Sequence, residues 1–310
     1  MVAEQPLEQP LLVYDRIAHN RRMTWLLLLA FVLTGGGFAT LIGLALGMAP
    51  AYAPLLAVPF ALFALISYYS SASVALAVSG AREVSAEEEP ELHRVVENLC
   101  IGAGLPKPKV YIIEDGSPNA FATGRDPGHA AIAVTRGLLQ KLDKLELEGV
   151  IAHELSHVGN YDIRIMTIVV VLVGLVALMA DFFLRWTWWG AGRRASNRER
   201  SAGSGTALIL ALALVAAVLM PLVAQIIKFA ISRQREYLAD ASAALLTRYP
   251  EGLARALEKI AADPDPLEVA NKATAHLYIN NPLREHQSLL NNLFSTHPPI
   301  EERIRLLRAM

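Results

Sequence analysis

The sequence predicts an α+β chain, mainly α. It reads as a multi-pass membrane protein with about four membrane helices and a water-facing domain that carries a small β-sheet. Three observations predict this. Hydrophobic residues make up 54% of the 310 positions, above the ~45–50% usual in soluble domains. The excess is gathered in blocks rather than spread, which points to membrane segments and not to a larger core. Between the blocks lie helical patterns and two short β-branched stretches, Val110-Tyr111-Ile112-Ile113 and Ala130 to Val134.

The totals exclude several classes. A formal net charge of -1 gives no reason to expect nucleic acid, and no basic patch with interleaved aromatics is present. Cys100 is the single cysteine, so no intrachain disulfide can form, which fits a reducing compartment. Cys100 itself reads as a small buried apolar residue.

Residues 1–22 are polar, with Arg16, Arg21 and Arg22 just before the first apolar run, Trp25 to Gly47. That run is long enough to span, since about 20 residues cover the hydrocarbon. Gly35-Gly36-Gly37 interrupts it, which membrane helices tolerate and use for close packing. A second run extends from about Leu55 to Val78, after the uncharged link Met48 to Pro54. Ala51-Tyr52-Ala53 resembles a signal-peptidase site, but the preceding run exceeds an h-region of about 7–15 residues and another apolar run follows. Residues 23–79 therefore read as an uncleaved membrane hairpin. Arginines before it and Arg82 after it place both ends inside, making 1–22 a cytoplasmic segment. Trp25, Tyr52, Tyr68 and Tyr69 are candidates for interface anchors or for packing.

Residues 80–162 form the first part of the water-facing domain. Glu87, Glu88, Glu89 and Glu91 around Pro90 suit a helix start, and Gly102-Ala103-Gly104-Leu105-Pro106 a helix end. Ser117 to Gly124, between the two predicted strands, is rich in turn residues. His93 and His129 lack ligand spacing. A second membrane hairpin, 163–231, follows: one run from Ile163 to Leu184, another from Ala207 to Ile231 with Pro221 as a kink. Its loop carries Arg185, Arg193, Arg194, Arg198 and Arg200 against Glu199. Residues 232–310 complete the domain, helical to about Leu246 and again from Glu251 to Ile260. Asp263-Pro264-Asp265-Pro266 breaks the chain. His276 and His286 lack an i+4 partner, and a last helix covers Ile300 to Met310.

The chemistry is concentrated in His153-Glu154-Leu155-Ser156-His157, an H-E-x-x-H motif. Leu142, Leu145, Leu147, Val150 and Ile151 precede it with helical spacing. Two His one turn apart share a helix face and can bind one cation. Glu154 can then act on a water rather than ligate. A metal hydrolase needs a third protein ligand and one open position. Glu236 is the candidate, with Asp240 one turn on to orient a ligand imidazole; the same Arg-rich segment also reads as a solvated charged face. If His157 and Glu236 share a metal, the chain between them crosses the membrane an even number of times. Two crossings put the Arg-rich loop outside, against the positive-inside bias. Either the first hairpin sets the orientation or the second is re-entrant; the run lengths favour crossing.

Three motifs in order, His153-Glu154-Leu155-Ser156-His157, Arg235-Glu236-Tyr237-Leu238-Ala239-Asp240 and Ser295-Thr296-His297-Pro298-Pro299, resemble the M48 family of zinc metallopeptidases and, within it, the HtpX-type membrane branch. The resemblance covers nearly the whole chain. It implies a gluzincin-like H-E-x-x-H metalloprotease domain with one Zn2+ per chain on His153, His157 and Glu236. It implies Glu154 as general base, Asp240 behind a ligand His, and His297 touching substrate or oxyanion. It also implies an edge strand at Asn119, Ala120 and Phe121 that pairs with the substrate backbone. Location in the plasma (inner) membrane follows, with the catalytic domain facing the cytoplasm. Unfolded or misfolded proteins would be the substrates and membrane lipid the surroundings. The rival readings are a non-proteolytic zinc-stabilised scaffold or holdase and a processing protease for lipidated peptides.

Overall fold

The structure, a computed structural model, describes residues 13–45, 49–169, 233–265, 267, 277–279 and 298–310. Most of the second predicted hairpin, and His276, His286 and His297, lie outside the described residues.

Helix α1 spans Val13–Ala45 and α2 spans Val58–Val78, joined through a 3-10 turn at Ala53–Ala57. Among the described residues one helix, Pro54–Val78, is long and apolar enough to cross a membrane; the count of four predicted spans is not reached within them. Leu28 and Phe31 of α1 pack with Ala64 and Tyr68 of α2 and with Ile168, while Leu26, Leu29 and Leu33 of α1 and Leu62, Leu65 and Ile66 of α2 are exposed. An apolar exterior of this kind suits lipid and not water. The third apolar run starts as helix at residues 162–169. There the guanidinium of Arg164 lies over the Tyr68 ring, 5.2 Å from its centroid, and donates to the Tyr68 hydroxyl.

The water-facing part is organised on a four-stranded sheet of order β1-β2-β4-β3. Its strands are β1 Arg82–Glu83, β2 Lys109–Ile113, β3 Ala120–Gly124 and β4 Ala130–Thr135. β1 runs antiparallel to β2, β2 parallel to β4, and β3 antiparallel to β4. Successive side chains alternate faces. Val110, Ile112, Ala120, Ala122, Ile132 and Val134 join one core with helices α3, Pro90–Ala103, and α5, Lys144–Gly159. Ile113, Phe121, Ala131 and Ala133 join a second with Ala75 and Leu76 of α2 and with Tyr278. The last turns of α2 thus cover one face of the sheet, which is apolar on both sides as that burial requires.

Local rules account for the helices. α3 buries Leu92, Val95, Val96, Leu99 and Cys100, an i, i+3, i+4, i+7 stripe. Gly104 ends it at φ +65 with its N–H on the carbonyls of Cys100 and Ile101, the left-handed stop that glycine adopts without steric cost. α4, Arg136–Lys141, starts on a Thr135 cap. α5 starts at a capping box in which Asp143 and Glu146 satisfy each other's backbone N–H. Leu142, expected in the same helix, instead lies in the link between α4 and α5, because that cap must precede the first turn. Helices α6, Arg233–Thr247, and α7, Pro250–Ala262, pack on α5. The contact with α7 is at two glycines: a Cβ on Gly149 would stand 2.7 Å from the Leu253 nitrogen, and one on Gly252 2.6 Å from the Leu145 carbonyl oxygen. Beside it the fully buried Glu146 pairs with Lys259 at 2.6 Å and Arg255 at 3.0 Å. The last helix, α8, is Ile300–Leu307.

Candidate metal centre

α5 presents His153 and His157 one turn apart, and α6 presents Glu236 and Asp240 in the same way. The two helices face each other, so the four side chains meet in one buried cluster. His153 Nε2 and His157 Nε2 lie 3.2 Å apart. Glu236 Oε2 is 3.7 Å from the first and Oε1 3.6 Å from the second. One ligand atom from each of the three falls within 4.8 Å of the others.

The outer ring nitrogens decide what these atoms can do. His153 Nδ1 stands 2.9 Å from Asp240 Oδ1, and His157 Nδ1 stands 3.2 Å from Asp162 Oδ2. A carboxylate only accepts, so each Nδ1 carries a proton, and in the neutral imidazole each Nε2 is left as a lone pair. Two lone pairs and a carboxylate converging on one point have acceptors and no donor between them, which is the donor set of a cation. The spacing agrees with that. A tetrahedral ion with bonds of about 2.0–2.1 Å sets its ligand atoms roughly 3.3–3.4 Å apart.

Charge leads to the same conclusion. Four buried carboxylates, Glu154, Asp162, Glu236 and Asp240, surround the cluster, and among the described residues two guanidiniums reach them. Arg303 lies 2.7 Å from Asp240 and 3.6 Å from Glu236, and Arg235 lies 3.6 Å from Asp162. With both imidazoles neutral, as metal ligation requires, four against two leaves two negative charges, which a divalent ion would balance. Burial lifts the Glu154 carboxyl above its ordinary value, although both imidazoles pull the other way. Burial also disfavours the charged form of His157, but the Asp162 bond and the nearby carboxylates outweigh it and hold the group up at about 9. Asp240 goes the other way: burial raises it, yet the charge and hydrogen bonds of Arg303 bring it down to about 2.

Glu154, between the two His on α5, is 2% exposed and takes a main-chain hydrogen bond from Ala122 of β3. β3 is an edge strand, and its outer rim faces the cluster. Ala120 accepts there from Ile279 N at 3.1 Å, and Gly124 N donates to Thr167 Oγ1 at 3.2 Å. Asn119 precedes the strand, its N–H on Thr135 Oγ1 at 2.8 Å and its Oδ1 accepting from Ala120 N at 3.1 Å. The Asn119, Ala120 and Phe121 side chains are all buried, Phe121 edge-on to Tyr278 at 5.2 Å. Their main chain is engaged as well: Thr135 N donates to the Asn119 carbonyl at 2.9 Å, Ala120 is held at both its N–H and its carbonyl, and Phe121 pairs with Ala133 of β4.

Sequence reasoning did not single out Asp162 or Arg303. Asp162 begins the helix that follows α5, and Tyr161 before it is left-handed at φ 60. That conformation is uncommon for an aromatic residue, and it turns the chain so that Asp162 returns over His157. The only sequence signal was an acid standing at the head of an apolar run. Arg303 sits on an amphipathic terminal helix, where an arginine ordinarily reads as surface; here it is 1% exposed.

Comparison with known proteins is consistent across the chain. The profile of Peptidase family M48 matches residues 86–310. A "Protease HtpX homolog" of Tropheryma whipplei (strain TW08/27) is 48% identical over 299 residues, covering 96% of this chain and 99% of that protein. One of Dictyoglomus thermophilum is 46% identical over 309 residues, covering 97% and 96%. Among solved structures, the crystal structure of S. mikatae Ste24p overlays with a TM-score of 0.48 at 19% identity, over 94% of this chain and 67% of that one.

Proposed function

The chain belongs to peptidase family M48, as an HtpX-type metalloprotease, and from that premise we propose that it is a zinc-dependent endopeptidase of the inner membrane that cuts misfolded or damaged membrane proteins on the cytoplasmic side. The observation that carries the reading is the convergence of His153 Nε2, His157 Nε2 and the Glu236 carboxylate beside the buried Glu154. Zinc at such a site acidifies a water toward a pKa of about 7 and polarises a carbonyl.

The chain's own residues do the rest. Glu154 accepts the proton of the attacking water and returns it to the leaving amine. Its burial raises its basicity above that of an exposed carboxylate, the direction a general base needs. Asp240 and Asp162 hold the Nδ1 protons of His153 and His157, which keeps both Nε2 atoms aimed inward. Arg303 holds Asp240 in turn. The outer rim of β3 around Asn119, Ala120 and Phe121 takes the substrate as an added strand once the Ile279 bond to the Ala120 carbonyl is released, through main-chain hydrogen bonds that demand no sequence. His297, which the family resemblance assigns to oxyanion contact, lies outside the described residues.

The last turns of α2 rest on the sheet and helix 162–169 follows directly from the α5 motif. The site therefore stands close to the membrane surface, where segments leaving the bilayer would be met. A scaffold that binds without cutting would close its fourth metal position and need no base, and Glu154 argues against it. The test is cleavage of an unfolded, casein-type substrate by the full chain in detergent. Cleavage that a chelator stops and zinc restores supports the reading; chelator-insensitive cleavage, or none, overturns it.

A further inference from the structure

Helix α1 reaches the metal centre. In its first turns His19, Arg21 and Arg22 are exposed, while Asn20 between them is 3% exposed. Asn20 Nδ2 donates to Asp162 Oδ1 at 2.8 Å and to the Asn160 carbonyl at 2.9 Å. Both partners only accept, so the orientation of the amide is fixed by chemistry. The other oxygen of Asp162 faces His157 Nδ1 at 3.2 Å. An unbroken buried path thus runs from α1 through Asn20 and Asp162 to His157, across 142 positions of sequence between the first two.

We propose that Asn20 is a positioning residue of the metal centre, through which the docking of helix α1 sets the affinity of the site for its metal ion. The inference rests on the reading of His153, His157 and Glu236 as metal ligands. Each of the two bonds has a function. The first pins the Asp162 carboxylate, which would otherwise rotate and release the Nδ1 proton that fixes the His157 tautomer. Arg235 is also near that oxygen, but at 3.6 Å, too long for a hydrogen bond that would set its direction. The second satisfies a carbonyl at the end of α5, where helix carbonyls lack internal partners, and so steadies the turn that carries His157. Neither contact touches substrate, so the effect falls on metal binding.

The test uses the full chain in detergent micelles and measures zinc affinity by competition with a chromophoric chelator. Asn20→Ala should weaken zinc about tenfold, at the low end of the 10–100-fold typical of residues behind metal ligands. Thr24→Val serves as the packing control. Thr24 is buried one turn along the same helix and donates only to the Asn20 carbonyl, so zinc affinity should be unchanged. In an Asp162→Ala background, Asn20→Ala should cost less than in the wild type, because only the bond to the Asn160 carbonyl remains to be lost. Wild-type affinity in Asn20→Ala overturns the proposal, as does an equal loss in Thr24→Val or an additive loss in the double variant. Should Asn20→Ala not fold, Asn20→Ser, which keeps one donor, carries the same comparison. His157→Ala separates the two levels of the argument. If it retains full zinc binding, the metal-centre reading itself fails. If it loses zinc while Asn20→Ala does not, only the role of Asn20 fails.

Discussion

Arg303 grips Asp240 with two parallel bonds, Nε to Oδ2 at 2.8 Å and Nη2 to Oδ1 at 2.7 Å, while Oδ1 also stands 2.9 Å from His153 Nδ1. The C-terminal helix α8 is thereby tied to a metal-facing imidazole on α5. The pair is buried on both sides, so removing Arg303 leaves a buried carboxylate with the His153 ring in place of an opposite charge. Arg303→Ala should destabilise the fold by about 3–5 kcal/mol, read as a lower denaturant midpoint. Arg303→Lys, which keeps the charge but loses the planar fork, should recover only part of it. A wild-type midpoint in Arg303→Ala would remove the pair from the account.

The close approach of α5 and α7 gives a second prediction. The atoms nearest a Cβ on Gly149 belong to the Leu253 backbone, at 2.7 and 2.8 Å, and a backbone cannot rotate away. Gly149→Ala should therefore push the helices apart and cost about 1–3 kcal/mol, although alanine favours helix over glycine. A thermal melt in detergent reads the outcome; a raised melting temperature would mean that propensity outweighs the clash.

Glu154→Gln keeps the shape of the side chain and removes its basicity. Zinc content by elemental analysis should stay at one ion per chain, while hydrolysis of an unfolded substrate falls by about 10²–10⁴-fold. Full activity would show that another group takes the proton.

How far these relationships could be read beforehand depends on their range. The H-E-x-x-H helix and the Glu236–Asp240 pair are i, i+4 patterns, visible wherever a helix is. β2 and β4 announce themselves by β-branched content. β1, two charged residues long, carries no periodic signal and exists only because β2 offers it an edge. Leu142 fits a helical period but yields to the Asp143 cap. The residues behind the ligands are the hardest to see. Asn20, Asp162 and Arg303 come from three elements, and each looks like an ordinary polar residue until folding brings it against its partner. That α6 meets α5 at all is tertiary information, which the local pattern of either helix does not contain.

The most direct test is to locate the metal. Anomalous diffraction at the zinc edge, on crystals of the full chain, should show one ion per chain within about 2.0–2.2 Å of His153 Nε2, His157 Nε2 and a Glu236 carboxylate oxygen. An ion bound elsewhere, or a coordination shell missing any one of the three, would contradict the account.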